Sequence, residues 1–260
     1  MKKWWIDARF RGISMADLAP SVHIMDVEEA EPSASIQHGA NAGYSGSRFL
    51  GMYRETLDVV ITFVVYDKNR QRRQQALDRV RMWARGVGDL ELSYRPGQVL
   101  RCRGGEGIGV PSVQKWADAL TVTFTAYAVP YWTDRQINAA YSSEETTSHS
   151  LGLSPSGTAE RCPMAFSLTA AAAVTSFTIR NASTDTAMTF SGLSMSAGQT
   201  AEASYADGLL AVKIGDVSIL SKRTPASSDD IWLRQRAGNE ISATADGACT
   251  IVCTARGLYL

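Results

Sequence analysis

LDVVITFVVYD, residues 57–67, and ALTVTFTAYAVPYW, residues 119–132, bracket the part of the chain that decides its fold. In the first run Leu57, Val59, Ile61, Phe63 and Val65 alternate on one face, as in a half-buried strand. The other face, Asp58, Val60, Thr62, Val64 and Tyr66, is also half apolar, more so than a wetted face needs to be. That face is expected to be covered, either by the helix that follows or by another subunit. The second run places Leu120, Val122, Phe124 and Ala126 inward, with Thr121, Thr123, Thr125 and Tyr127 outward. β-branched and aromatic residues suit such a pleated surface.

Between these strands, KNRQRRQQALDRVRMWARG, residues 68–86, repeats Ala76, Leu77, Val80, Trp83 and Ala84 at helical spacing, which gives one apolar stripe. Arg70, Arg72, Arg73, Arg79, Arg81 and Arg85 occupy the rest, either as a solvated face or as a docking strip for an acidic partner. Gly86 and Gly88 supply a stop. DLELSYRPGQVLRCR, residues 89–103, then reads as a hairpin, with Arg95-Pro96-Gly97-Gln98 fitting a type II turn. The order strand, helix, hairpin, strand builds a structure and contains no reaction centre.

Outward from this centre, residues 1–30 suggest two or three short strands, and Trp4-Trp5 reads as a core or interface anchor. EPSASIQHGANAGYSGS, 31–47, is rich in Gly, Ser and Ala and reads as a long loop, with RFLGMYRE a short strand after it. GGEGIGVP, 104–111, fits neither phosphate-loop pattern, because Val110-Pro111 follows where a helix would open, so a flexible β-arm or loop is expected.

Residues 133–160, polar and rich in Ser and Thr, mark a domain boundary: 1–132 is one expected domain and 133–260 the other. From Cys162 onward nothing reads as helix. CPMAFSL, TSFTIRN, AMTFSGL, QTAEASYA, LLAVKIG, VSILS, IWLRQR, EISATAD and CTIVCTA follow at regular spacing, with Asp207-Gly208, Gly215-Asp216 and Asp246-Gly247 as turn signals. The Ala-rich TAAAAV, 169–174, reads as a loop. Many short strands with regular turns argue a β-sandwich.

The 26 basic and 26 acidic side chains balance, which argues against a nucleic-acid-binding domain. The apolar runs are far shorter than the roughly 20 residues of a membrane span. MKKWWIDARFRG has no apolar h-region, so synthesis and folding in a cytoplasm are expected. Cys102, Cys162, Cys249 and Cys253 read as unpaired thiols; Cys249 and Cys253 would lie roughly 13 Å apart along one strand. The Asn181-Ala182-Ser183 sequon has no meaning without secretion. His23, His38 and His149 lack partners at metal-ligand spacing, and Ser194 sits in a turn, not in a nucleophile elbow. No catalytic, metal or cofactor site is expected.

Taken together, several stretches resemble the distal tail protein (Dit) family of long non-contractile-tailed bacteriophages. They are RETLDVVITFVVYD with its helix and DLELSYRPGQVLRCR; the Thr-rich strand ending in Pro130-Tyr131; the Pro163 strand; Leu193–Thr200; GNEIS; and the terminal Tyr259-Leu260. Val129 departs from the acidic residue that usually precedes the family's Pro-Tyr pair. The resemblance implies a mainly β protein, with an N-terminal split β-barrel-like domain carrying one basic helix and a C-terminal galectin-like sandwich. It implies a homohexameric ring at the virion tail tip, meeting the tail tube protein, the hub or tail-associated lysin, and the tape measure protein. Val60, Val64 and Tyr66 are then the expected subunit contacts. A carbohydrate-binding sandwich is the alternative, with Tyr205 and Trp232 as its sugar contacts.

Overall fold

The computed structural model describes residues 6–18, 20–32, 34–40, 47–105, 108–109, 112–113, 116–206 and 208–260, with 38–40, 47–53 and 112–113 as backbone alone. Met1–Trp132 with Leu260 forms one compact unit and Thr133–Tyr259 a second.

The first unit contains β1 (Ala8–Phe10), β2 (Ile13–Ser14), the one-turn α1 (Met15–Leu18), β3 (Val22–Glu29), β4 (Ala34–Ala40), β5 (Ser47–Arg54), β6 (Leu57–Tyr66), α2 (Arg70–Ala84), β7 (Gly86–Leu92), β8 (Gln98–Gly104), β9 (Ser112–Val113) and β10 (Ala117–Ala126). Its main sheet runs β2-β1-β7-β8-β10-β6-β3. β6 and β10 are neighbours, in antiparallel register from Ala117↔Tyr66 to Ala126↔Leu57. Both periodicities hold: Leu57, Val59, Ile61, Phe63 and Val65 are buried, as are Leu120, Val122, Phe124 and Ala126.

The helix covers that buried face. Asn69 opens α2 by accepting from the Gln71 and Arg72 amides at 2.9 and 3.3 Å, which satisfies two of the donors that a helix start leaves over. Trp83 then sits among Phe10, Phe63 and Phe124, with ring centroids 5.9, 5.9 and 5.8 Å away, all edge to face. Its Nε1 donates to the Ile13 carbonyl at 2.9 Å, so the burial leaves no orphan donor. One tryptophan thus ties β1, β6 and β10 to the helix.

The sheet is split because β10 and β8 pair only at Phe124↔Gly104 and Thr125↔Arg103 among the described residues. Gly104 permits that junction. A Cβ there would lie 2.2 Å from the Ala84 carbonyl oxygen and 2.7 Å from the Phe124 ring. Gly104→Ala is therefore expected to cost about 1–3 kcal/mol, as overpacking does, read as a lower urea midpoint at unchanged slope.

The hairpin turn is as the sequence implies, with Gly97 at φ +81 and the Gln98 amide donating to the Arg95 carbonyl at 3.2 Å. Within the loop expected over 31–47, the described residues 34–40 and 47 are strand. β4 and β5 pair with each other from Ala34↔Arg54 to Ala40↔Ser47. Gly, Ser and Ala carry little strand signal, and this pairing is made by the backbone. In the glycine-rich stretch, Gly104 ends β8 and the Gly109 amide donates to the Thr121 carbonyl at 2.9 Å. Trp4, Trp5 and Asp207 lie outside the described residues.

β11 (Trp132–Asp134) leads into the second unit, which continues with β12 (Ala139–Ser142), β13 (Thr146–Leu153), β14 (Arg161–Ala170), β15 (Val174–Asn181), β16 (Thr186–Met195), β17 (Thr200–Ala206), β18 (Leu209–Ile214), β19 (Val217–Ser218), β20 (Trp232–Arg234), β21 (Asn239–Ala255) and β22 (Leu258–Tyr259). The order is β16-β15-β21-β14-β17-β18-β19, with β12 and β13 also on β21 and β20 on β14. Phe166, Phe177 and Phe190 lie in its core, with successive centroids 6.0 and 5.0 Å apart. Several details differ from the sequence reading, beginning with β12 and β13, which fall in the stretch read only as a domain boundary. Leu220–Lys222 is a turn of 3-10 helix rather than a continuation of β19. EISATAD and CTIVCTA are one strand, β21, not two.

Asp246-Gly247 is a change of partners within β21 rather than a turn. Before it β21 lies between β13 and β15; after it β14 replaces β15, and on the other side β13 reaches Cys249 before β12 takes over from Val252 onwards. A Cβ on Gly247 would meet the Ala173 carbonyl oxygen at 2.1 Å. Asp246 accepts from the Thr175 hydroxyl and from the Thr175 and Ser176 amides at 2.9 and 3.2 Å. The Thr175 hydroxyl above all, and then these amides, hold its carboxyl down to about 2 from an ordinary 3.8. The folded pKa lies below the unfolded one. The contact therefore stabilises fully above about pH 4 and is lost as pH falls through about 2. Between pH 5 and pH 2 the wild type should lose more thermal stability than Asp246→Asn. The difference should be small, because the group is exposed and screened.

Candidate functional site

The face of the β6/β10 sheet opposite α2 is built from residues that alternate away from the core. Val60 is half-buried there, and Tyr66 is 59 % exposed. Val64 is buried within the chain itself, so it supports this surface from beneath and offers no area to a second subunit. Thr125 donates to Asp58 at 2.6 Å, and the Thr62 and Thr121 hydroxyls lie 3.4 Å apart. Across the edge strand, the His23 ring lies 6.2 Å from Tyr66. A register shift between Ile24 and Asp26 turns Met25 out, 70 % exposed. The helix lies on the other face, so of the two coverings considered for this side, α2 is not the one.

The arginine strip is not uniform. Arg70, Arg72, Arg79 and Arg85 are exposed, but Arg73 is buried. Its Nε lies 3.0 Å from Asp118 Oδ2, an atom that also accepts from Gln74 at 3.1 Å. Arg73 stands three and four residues before Ala76 and Leu77, on the apolar stripe itself, so its place in the helical pattern already sets it apart from the other arginines. A second node was silent in the sequence. Glu29 accepts from Tyr94, from Arg95 and from Trp132 Nε1 at 2.8 Å, while the Arg95 guanidinium lies 5.0 Å from the Trp132 ring centre. Burial, and then the bond to Glu29, raise the Tyr94 pKa, so it stays a protonated donor.

In the second unit the two expected sugar contacts part company. Tyr205 is half-buried and bonded to Asp230, and burial raises both pKa values. Trp232 is half-exposed and lines a cleft of about 180 Å³ with Glu160, Arg161, Thr184, Thr186 and Arg234; Tyr205 is not in its wall. The Asn181 sequon residue is wholly buried, donating to the Trp232 carbonyl at 2.6 Å and to Asn239 at 3.2 Å.

The remaining polar candidates form no reaction centre among the described residues. His149 Nε2 lies 3.4 Å from Cys249 Sγ. Burial lowers the histidine pKa and raises the thiol's, so the pair is neutral and not a thiolate–imidazolium couple. Burial likewise pushes Cys102, Cys162 and Cys253 up to about 12. No group of three or more His, Cys, Asp or Glu is placed to hold a metal ion, and no helix is long and apolar enough to cross a membrane, among the described residues.

No family model matches the sequence, and no curated protein does. Solved structures do match. The SPP1 Dit protein, described as a paradigm of the hub adsorption apparatus in phages infecting Gram-positive hosts, superposes with a TM-score of 0.69 at 12 % identity, over 96 % of this chain and 98 % of that one. The fold is that of SPP1 Dit. A chain of the phage p2 baseplate in its activated conformation covers 96 % of this chain and 97 % of its own, at 6 % identity and a TM-score of 0.42. The match spans both units in order: the split sheet with its long helix α2, then the sandwich built on β14 and β21.

Proposed function

We propose that this chain is a structural protein of a phage tail tip that acts by assembly and not by catalysis. The observation that carries the reading is the Dit fold across nearly the full length of both chains. The N-terminal unit closes into a homohexameric ring through head-to-tail contacts, since such a contact closes when its rotation divides a full turn. The ring joins the tail tube protein to the hub or tail-associated lysin, next to the tape measure protein. It is made in the cytoplasm of a bacterial host and resides in the virion. Val60 and Tyr66 meet the neighbouring copy, with Val64 packed behind them. The exposed edge of β3 and the projecting Met25 support a contact on this side.

Native mass spectrometry of the full chain should give a sixfold mass, and electron microscopy a ring. Tyr66→Glu should shift the mass towards monomer while the far-UV circular dichroism of the folded chain stays unchanged, because the side chain is solvated in the single chain. A monomer at high concentration, with no ring in any tail particle, would overturn the reading. One observation favours the second reading, a carbohydrate-binding sandwich: Trp232 is half-exposed at the mouth of a cleft.

A further inference from the structure

The cleft beside Trp232 has a charge pattern that a neutral-sugar site would not need. Arg161 on β14 and Arg234 on β20 are direct cross-strand partners, and both are exposed. Like charges placed directly opposite one another destabilise a strand pair. Neither guanidinium has a carboxylate within ion-pair distance among the described residues. The cleft's charged walls are these two arginines and the single Glu160, which leaves it net positive. We propose that it binds an acidic sugar. The carboxylate or phosphate sits between the two guanidiniums, and the sugar ring lies against Trp232.

The rest of the wall fits that ligand and not a bare anion. The Arg161 guanidinium is held 5.3 Å from the Trp232 ring centre, so it is positioned before anything binds. Thr184 donates its only hydroxyl hydrogen to the Trp232 carbonyl at 3.0 Å. The 2.9 Å contact between Thr184 and Thr186 must therefore take its hydrogen from Thr186. With that hydrogen engaged, Thr186 offers lone pairs to the cleft, and Glu160 adds an acceptor. These groups repel an anion but accept from sugar hydroxyls. The cleft thus carries cations for one end of the ligand, acceptors for its hydroxyls and an aromatic face for its ring. Its floor is rigid, because Asn181 and Thr184 both fix the Trp232 carbonyl.

The test is a ligand-observed NMR titration of the full chain with glucuronate, glucose 1-phosphate, glucose, inorganic phosphate and a triglutamate peptide. At least one of the two acidic sugars should bind about tenfold more tightly than glucose, the scale of one charge-assisted contact. Which of the two does so identifies the anion. That binding should weaken with salt, and Arg234→Ala, a change at an exposed side chain, should abolish the advantage over glucose. Trp232→Phe should keep the fold and part of the affinity. Glucose binding as tightly as both acidic sugars would overturn the proposal. So would inorganic phosphate or the peptide binding as tightly, or an unchanged Arg234→Ala variant. None of these readouts depends on ring formation, so this proposal and the assembly reading can fail separately.

Discussion

Asp118→Ala is expected to destabilise the N-terminal unit by about 3–5 kcal/mol, the range for removing one member of a buried ion pair. Asp118 and Arg73 are 0 % and 3 % exposed, with Nε and Oδ2 3.0 Å apart. The substitution strips a buried guanidinium of its Asp118 counter-charge. It also takes the acceptor from Gln74, leaving Arg73 the bond to the Asp67 carbonyl at 2.6 Å among its contacts. Desolvation is the larger part of this cost. The double variant Arg73→Met with Asp118→Leu should therefore recover most of the loss. Urea denaturation of the two variants decides the matter. A loss below about 1 kcal/mol for Asp118→Ala would put the pair in the class of solvated ion pairs.

Asn239→Ala should unfold the sandwich under conditions where the wild type is stable, at a cost above about 3 kcal/mol. Nδ2 of Asn239 shares its hydrogens among the carbonyls of Leu153, Arg234 and Ala237 at 2.9, 2.9 and 3.1 Å. Its Oδ1 accepts from the Arg234 amide at 2.8 Å and from Asn181 at 3.2 Å. The residue is 1 % exposed, so these groups lose their partner where water does not replace it, at about 1–3 kcal/mol for each group left unsatisfied. Asn239→Asp separates hydrogen bonding from volume. It keeps the shape and the acceptor but loses the amide donor, and it should be nearly as damaging in a thermal melt. A harmless Asn239→Asp would mean that the site needs only a side chain of that size.

These two residues also show where sequence reasoning stopped. The strands around Val59 and Val122, the helix around Trp83 and the turn at Gly97 were legible because each depends on local periodicity or on a local φ. The roles of Asp118, Glu29, Asn181 and Asn239 were not, because each bonds to partners from 44 to 103 positions away along the chain. Asn181 carried a misleading signal, a sequon in a side chain that is wholly buried. Asp246-Gly247 did the same, since a glycine required by the Ala173 carbonyl looks like a glycine required by a turn.

The site divides in the same way. Exposure of Tyr66 and burial of Val64 could not be told apart from alternation, because both sit on the same face of β6. The edge strand β3, with His23 beside Val64 in register, makes the difference. Nor could Arg161 and Arg234, 73 positions apart, be read as a pair before β14 and β20 were known to be neighbours.

By itself the sequence determined the long helix, the strands with clear alternation and which of their faces would be apolar, because those properties reside in spacing along the backbone. Only the tertiary structure decided which charges were buried, which aromatics remained exposed and which like charges were forced together. Burial and electrostatic energy depend on distance in space, and the chain brings remote residues within a few ångströms only once the sheets have formed.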